Sequence, residues 1–496
     1  MSWLRNHIKF YHIIKYSLIS SILLFLVSLP LRRLHIDDPW IAEYSYWIAK
    51  MGYLRSDLMQ GFLNYSEKMY VYHKGHYLFG ALAYKIFGFS MYVFKASSLF
   101  WMLLSFGLVY LYSKSKRNVF KDKASVLFVF LLLMVNHQFF EYGFVMRPEM
   151  MMLFFGFFSF FLLYKKINLT SAIKNSYFIP MAGLFAGLSG FTHLTGIIFC
   201  FTGFSFLLIK KEFKNSIFFG VFCLIGFVPY FYDITTIKDW NGFLWQIEND
   251  PVLKIVKGGG FGPLTKLIHE HQRYFVYPWM VSFSLLFIFT LSFDFRNIKK
   301  EQKDLLLISG LGALFLGIFA AKTAKYLIIL TPFYTLLIAP SLLRMREMGK
   351  AKRNTLVVFL FLFFAINIGY NVGLITLAED RPAMNTEVAK LIPKGSKILS
   401  SLPFVFNQIE NYNIQAESAH TFWQLRYLKK EPSMESLLAF ASQYQRQYVI
   451  LDLTFTYGGL IKELKSWDYQ TKHSHGNYQI IHHDAEFVIF KSVDRN

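Results

Sequence analysis

Two adjacent carboxylates, Asp37 and Asp38, stand directly after the first long apolar stretch of the chain, in the run Asp37-Asp38-Pro39-Trp40, with Glu43 following. Acids placed where an apolar segment meets water add little to a core, which makes them the candidate chemical centre. Further ionisable residues fall at the ends of later apolar stretches: Lys74 and His76, Glu141, Arg147 and Glu149, His193, Lys322 and Lys325. Ionisable groups at membrane depth are costly and usually line a cavity or meet a partner. Carboxylates set among several Lys and Arg suit a reaction that takes a proton from an acceptor while cations hold an anionic leaving group such as a phosphate.

Each of these residues also has a plainer role. Asp37 and Asp38 precede Pro39 and suit the start of a helix. Arg147-Pro148-Glu149 reads as another helix start, with Pro in the first turn and Glu favoured by the helix dipole. Lys322 and Lys325 suit snorkelling lysines, and His193, in Gly190-Phe191-Thr192-His193, suits a hydrogen-bonded turn. Capping and catalysis are compatible, so both roles stay open for the acidic pair.

The elements that must position these residues are those of a membrane protein. Of 496 residues, 54% are hydrophobic and 19% aromatic, and the mean hydropathy is +0.35, outside the profile of a soluble chain. A net charge of +21 would point to nucleic acid in a soluble protein. Here Lys and Arg cluster in short runs between apolar segments, which sets orientation in a bilayer and attracts anionic lipid. Cys200 and Cys223 lie inside apolar segments, so neither a disulfide framework nor a Cys-based metal site is supported. The first apolar run has no small-residue cleavage site after it and reads as a retained signal anchor.

Spans need roughly 20 apolar residues. Candidates are 16–31, 92–112, 124–140, 150–164, 178–191, 194–209, 217–232, 278–293, 305–320, 326–343 and 356–377, about eleven in all. The basic runs 114–123, 165–174, 210–214, 296–303 and 344–353 share a side with the basic N-terminus, which the positive-inside rule makes cytoplasmic. Residues 1–378 thus form a transmembrane module. Its loops 35–91 and 233–277 face outward with a small α/β domain at 379–496. Within the first loop, stretches near 41–53 and 78–87 are too short and polar to span and read as interfacial helices. The second loop has Gly258-Gly259-Gly260 as a hinge before His269-Glu270-His271, a pattern that suits a lid or a plain surface loop. In the tail, 397–400 and 448–453 read as buried strands, 434–444 as a helix, and 478–481 with 487–490 as a hairpin.

Asp37-Asp38-Pro39-Trp40-Ile41-Ala42-Glu43, leading to Ala49-Lys50-Met51-Gly52, resembles the acidic signature in the first extracytoplasmic loop of GT-C glycosyltransferases that use polyprenyl-phosphate sugars. The bacterial lipid A aminoarabinose transferases and the protein O-mannosyltransferases are the families that the stretch resembles. His73-Lys74-Gly75-His76-Tyr77, Met146-Arg147-Pro148-Glu149, Gly183 to Thr195, Lys322 to Pro332 and Leu391 to Lys397 resemble further elements of that pattern, in order and on consistent sides. Departures are Asp38 for the usual Glu, Gly75 for a Pro, and Lys325 for an Arg.

The resemblance implies a multi-pass enzyme of the bacterial cytoplasmic membrane, with its N-terminus cytoplasmic and its C-terminal domain extracytoplasmic. It would move a sugar, with inversion, from a polyprenyl-phosphate donor to a glycan, lipid or protein acceptor. Asp37 or Asp38 would be the general base. Lys74, Arg147, Lys322 and Lys325 would hold the donor phosphate. Glu43, His76, Glu149, His193, His269 and His271 would meet the acceptor or orient the others. Asp38 with Glu149 are candidate ligands for Mg or Mn, although Lys and Arg can replace a metal there. A lipid-linked sugar transporter or flippase, and an oligosaccharide ligase with a diphosphate-linked donor, fit the same outline. No internal symmetry of the kind many transporters carry is visible.

Overall fold

The computed structural model describes residues 2–32, 34–116, 118–168, 177–250, 262–321, 323–376, 381–406, 408–467 and 474–493. Lys322 and the glycines 258–260 lie outside them. Helices occupy every apolar stretch. They are α1 (Ser2–Ser28), α4 (Met91–Ser115), α5 (Lys123–Val135), α7 (Glu149–Asn168), α8 (Phe178–Thr192), α9 (Ile197–Ile209), α10 (Phe213–Phe227), α14 (Pro278–Glu301), α15 (Lys303–Phe319), α16 (Thr331–Leu343) and α17 (Lys350–Thr376). Between them lie α2 (Asp37–Met51), α3 (Lys74–Phe87), α6 (His137–Tyr142), α11 (Ile237–Asn249), α12 (Gly262–Ile268) and α13 (His271–Phe275).

Five of these helical stretches are long and apolar enough to cross a membrane: Tyr11–Leu31, Met91–Ser115, Phe213–Phe231, Pro278–Glu301 and Lys350–Ile375. The chain is therefore a multi-pass membrane protein. Four other apolar helices are shorter. The stretch 124–140 is broken because the Asn136 side chain accepts from the N–H groups of Gln138 and Phe139 and so caps a new helix, α6. Apolar side chains such as Leu23, Val358 and Phe361 point outward from the long helices, as lipid-facing residues do. The interior is a single large apolar cluster spanning α1 to α17. Within it α8 and α10 meet closely: a Cβ on Gly187 would lie 2.1 Å from the Cys223 carbonyl oxygen. Small residues are what let membrane helices approach backbone to backbone.

The first loop is α2, an irregular stretch, and α3. α2 ends where Gly52 takes the left-handed conformation. α2 is largely buried, with Ile41, Ala42, Tyr44 and Ile48 in a second apolar cluster. That cluster also takes in Phe404, Phe406, Ile414 and Ile450 from the tail.

The tail folds α18 (Arg381–Ala389), β1 (Lys397–Ser400), β2 (Asn413–Ala416), α19 (Glu417–Trp423), α20 (Met434–Gln443), β3 (Tyr448–Asp452), α21 (Gly458–Lys465), β4 (Ser474–His475), β5 (Tyr478–His483) and β6 (Phe487–Ser492). They make one sheet, order β2-β1-β3-β6-β5-β4. β1 pairs in parallel with β2 and β3, and β3 to β6 and onward is antiparallel. The expected strands, helix and hairpin are present. β2 is an addition, short and flanked by polar residues. It bonds outward to the first loop: Ala416 N–H donates to the Leu58 carbonyl at 3.0 Å, and the Gln415 amide donates to the Gln60 carbonyl at 2.9 Å.

Candidate active site

The two adjacent acids point in different directions because they are consecutive on the first turn of α2. Asp38 turns inward and is fully buried. Its carboxylate accepts from the backbone N–H of Met146 at 2.7 Å and of His35 at 3.0 Å, and faces Lys95 at 3.5 Å. It thereby ties the entry of α2 to the segment before α7. Asp37 keeps a side chain 31% exposed and ion-pairs with Arg147.

Arg147 is the hub. Its Nε and Nη2 donate to the two oxygens of Glu149, at 3.0 and 2.6 Å, a bidentate arrangement that fixes the guanidinium plane. Its Nη1 faces Asp37. Glu149 is fully buried, so the guanidinium is set against a carboxylate that cannot leave and one that can. Lys325, from the segment before α16, adds a cation. Burial, then the charge of Arg147, lower its pKa to about 8, while Glu149 opposes. Its ammonium has no carboxylate within ion-pair distance among the described residues. The short turn that carries it, Ala324–Ile329, packs against α7, the helix that Glu149 opens.

Four imidazoles belong to the neighbouring segments. His73 stacks on His193 with ring centroids 4.1 Å apart. His193 accepts from the Thr195 N–H through Nδ1 at 2.9 Å, leaving Nε2 to donate to the Tyr326 hydroxyl at 3.1 Å. His76 is fully buried, with neither ring nitrogen hydrogen-bonded among the described residues, and burial lowers its pKa to about 4. His35 is likewise lowered to about 4 by burial and accepts from the Asp37 N–H. These rings are therefore neutral near pH 7.

Four predicted residues stand apart from this hub. Lys74 is buried and ion-paired with Asp233, its ammonium 5.0 Å from the Tyr230 ring centre. Glu43 is a scaffold residue, one oxygen accepting from Trp47 Nε1 and the N–H groups of Asp57 and Leu58, the other from the Ser56 hydroxyl. Burial raises its carboxyl to about 8 against those donors. His269 and His271 are exposed, and His271 bonds the Ile268 carbonyl of its own segment. Lys322 lies outside the described residues.

The pair Asp38 and Glu149 does not fit a divalent ion. Asp38 is occupied by two N–H groups and Lys95, and Glu149 by both arms of Arg147. No cluster of three His, Cys, Asp or Glu side chains suited to a metal occurs among the described residues.

The structure adds residues that sequence reasoning passed over. Lys95 is a lone charge inside an apolar helix, a signal that was there to read. Asp233, Asp239 and Asp250 hold the second loop to the first: Lys68 donates to Asp239 at 2.7 Å, and Tyr65 donates to Asp250 at 2.8 Å. Tyr72 also donates to Asp250 and has a positive φ of 77°, strained for a side chain of its size. It directly precedes His73 and Lys74.

Residues 75–232 match the family model of dolichyl-phosphate-mannose-protein mannosyltransferases, a segment carrying Arg147, Glu149 and His193. No curated protein matches the chain significantly. Among solved structures, the chain is similar to ArnT from Cupriavidus metallidurans in the apo state, at 14% identity and TM-score 0.59, covering 96% of this chain and 97% of that one. ArnT bound to undecaprenyl phosphate matches at TM-score 0.58 with the same identity and coverage. The archaeal oligosaccharyltransferase AglB from Archaeoglobus fulgidus matches at 12% identity and TM-score 0.50, over 88% of this chain and 69% of that one. Over nearly its whole length this multi-pass chain has the fold of ArnT, and its residues 75–232 match the mannosyltransferase family model, in keeping with the GT-C resemblance of its sequence.

Proposed function

We propose that the chain transfers a sugar from a polyprenyl-phosphate donor to an acceptor on the outer side of the bacterial cytoplasmic membrane, with inversion at the anomeric carbon. The observation that carries this reading is the Arg147 hub: a guanidinium locked by buried Glu149, with a partly exposed carboxylate on its remaining face and the turn of Lys325 packed on the helix that Glu149 opens. A donor phosphate is a better partner for that face than Asp37, because it offers several oxygens to the guanidinium and the lysine together. Its arrival displaces Asp37 from the ion pair and leaves a carboxylate base next to the reacting centre.

The acceptor oxygen then attacks the anomeric carbon opposite the phosphate while its proton passes to Asp37. The bond between the anomeric carbon and the phosphate oxygen breaks, and the departing phosphate is neutralised by Arg147 and Lys325. On this reading Lys322 and Lys74 are the outer members of the donor-binding set, Lys74 from its closed pair with Asp233, and the neutral imidazoles of His73, His76 and His193 shape the sugar pocket. No step needs a metal. The binding of undecaprenyl phosphate by the similar ArnT structure supports the choice of donor.

The test supplies membranes holding the chain with radiolabelled polyprenyl-phosphate sugars. Label should enter an envelope fraction, and Asp37→Asn should lower its transfer by roughly 10²- to 10⁴-fold without loss of folded protein. A chain that moves labelled lipid between leaflets without transferring sugar would be a transporter instead.

A further inference from the structure

A groove of about 430 Å³ lies where the tip of the first loop meets the tail domain, within the size range of small-molecule sites. One wall is the loop at Gln60, Gly61 and Phe62. The other is α19 and α20. Trp423 is 37% exposed and is backed by Tyr427, whose ring is stacked on it at 4.4 Å, and by Phe62 edge-on. The indole is thus a fixed platform rather than a swinging side chain.

Around it stand the amides of Gln424 and Gln443, the Tyr444 hydroxyl and the indole N–H. None of these four polar groups has a hydrogen-bond partner in the chain among the described residues. His420, by contrast, is satisfied by Ser436 at 3.0 Å and serves as floor. The backbone is also irregular here: Gln424–Leu428 forms a π-helical turn, closed by Lys429 in the left-handed conformation. Such turns are rare and recur at functional sites. Gly61 has φ +86°, and a Cβ there would lie 2.2 Å from the Tyr444 hydroxyl, so glycine lets the loop close onto Tyr444.

An aromatic plane flanked by unengaged amides and a hydroxyl is the chemistry that holds a neutral sugar. The apolar C–H face of the ring lies on the indole, and each amide offers a donor and an acceptor to neighbouring hydroxyls. We infer that this groove binds a saccharide of the acceptor, which rests on the transferase reading above. The groove wall is joined through the chain to Asp37, the proposed base. Asp37 and Glu43 share α2, and Glu43 accepts from the Asp57 and Leu58 N–H groups, three and two residues before Gln60.

The full-length protein in lipid nanodiscs, free of alkyl-glycoside detergent, is probed by saturation-transfer NMR with methyl glucoside, methyl galactoside, methyl mannoside and chitobiose. At least one should bind. Trp423→Ala and Gln443→Ala should each weaken that binding at least tenfold, Trp423→Phe should keep it, and Asp37→Asn should leave it unchanged. No binding by any probe, or equal binding in folded Trp423→Ala and Gln443→Ala proteins, overturns the inference. Because binding is read without turnover, failure of sugar transfer is scored separately in the labelled-donor assay.

Discussion

Arg147 and Lys74 both set a buried cation against an aspartate, yet the two pairs differ in what encloses the acid. Asp37 opposite Arg147 has a side chain 31% exposed, while Asp233 opposite Lys74 is 2% exposed. Arg147 has a second carboxylate, Glu149, bonded through two other nitrogens, which would hold it in place without Asp37. Lys74 has instead the faces of Tyr230 and Tyr232. The first arrangement is prepared for exchange of one partner. The second is closed, and opening it uncovers a charge in an apolar surrounding.

The largest effect should come from Arg147→Ala. It strands buried Glu149 without its bidentate partner, at a cost of about 3–5 kcal/mol, seen as loss of monodisperse protein on size exclusion. Arg147→Met combined with Glu149→Leu should recover the folded protein and remain without transfer. Full activity in that double variant would remove the hub from the chemistry.

Next is the contrast between the adjacent acids. Asp38→Ala removes the acceptor for two backbone N–H groups and the counter-charge of Lys95, so it should lower thermal stability by several degrees. Asp37→Asn should hardly shift it, since a partly exposed pair contributes roughly 0–1 kcal/mol. Equal shifts would mean that Asp37 is also structural.

A third comparison uses Lys74→Ala and Lys74→Ala with Asp233→Ala. The single variant leaves Asp233 buried and unpaired, and yield should drop. The double variant should regain yield but show a raised KM for the donor with kcat little changed. Restored donor use would reduce Lys74 to a packing role.

The smallest effect is in the pH profile. Lys325 carries its charge below about pH 8, so kcat/KM for the donor should decline as pH rises through 8, where the free enzyme loses that cation. In Lys325→Arg the decline should vanish, because guanidinium stays protonated.

Much of this was legible in the sequence. The acidic pair, Arg147-Pro148-Glu149 and Lys325 stand at the ends of apolar runs, where composition changes abruptly and charge is conspicuous. The strands β1, β3, β5 and β6 follow from short buried patterns. What was not legible are the pairings. Lys74 finds Asp233 159 residues away, and nothing local announces it. Glu43, conspicuous as a third acid, is consumed by a loop 13 to 15 residues on, a choice made by packing. Lys95 was readable and was hidden by the strength of the apolar helix around it. The break at Asn136 turns on a side-chain cap, which hydropathy does not register.

The joint between the first loop and β2 sets a schedule for biogenesis. Gln60 and its partner Gln415 are 355 residues apart, so at 5–20 residues per second the loop emerges about 20 to 70 s before the strand that completes it. During that interval the apolar side chains of Phe62 and Leu58 have no tail to cover them. The Glu43 hub, whose partners all lie within residues 43–58, is complete from the outset and can hold the loop in register until the tail arrives.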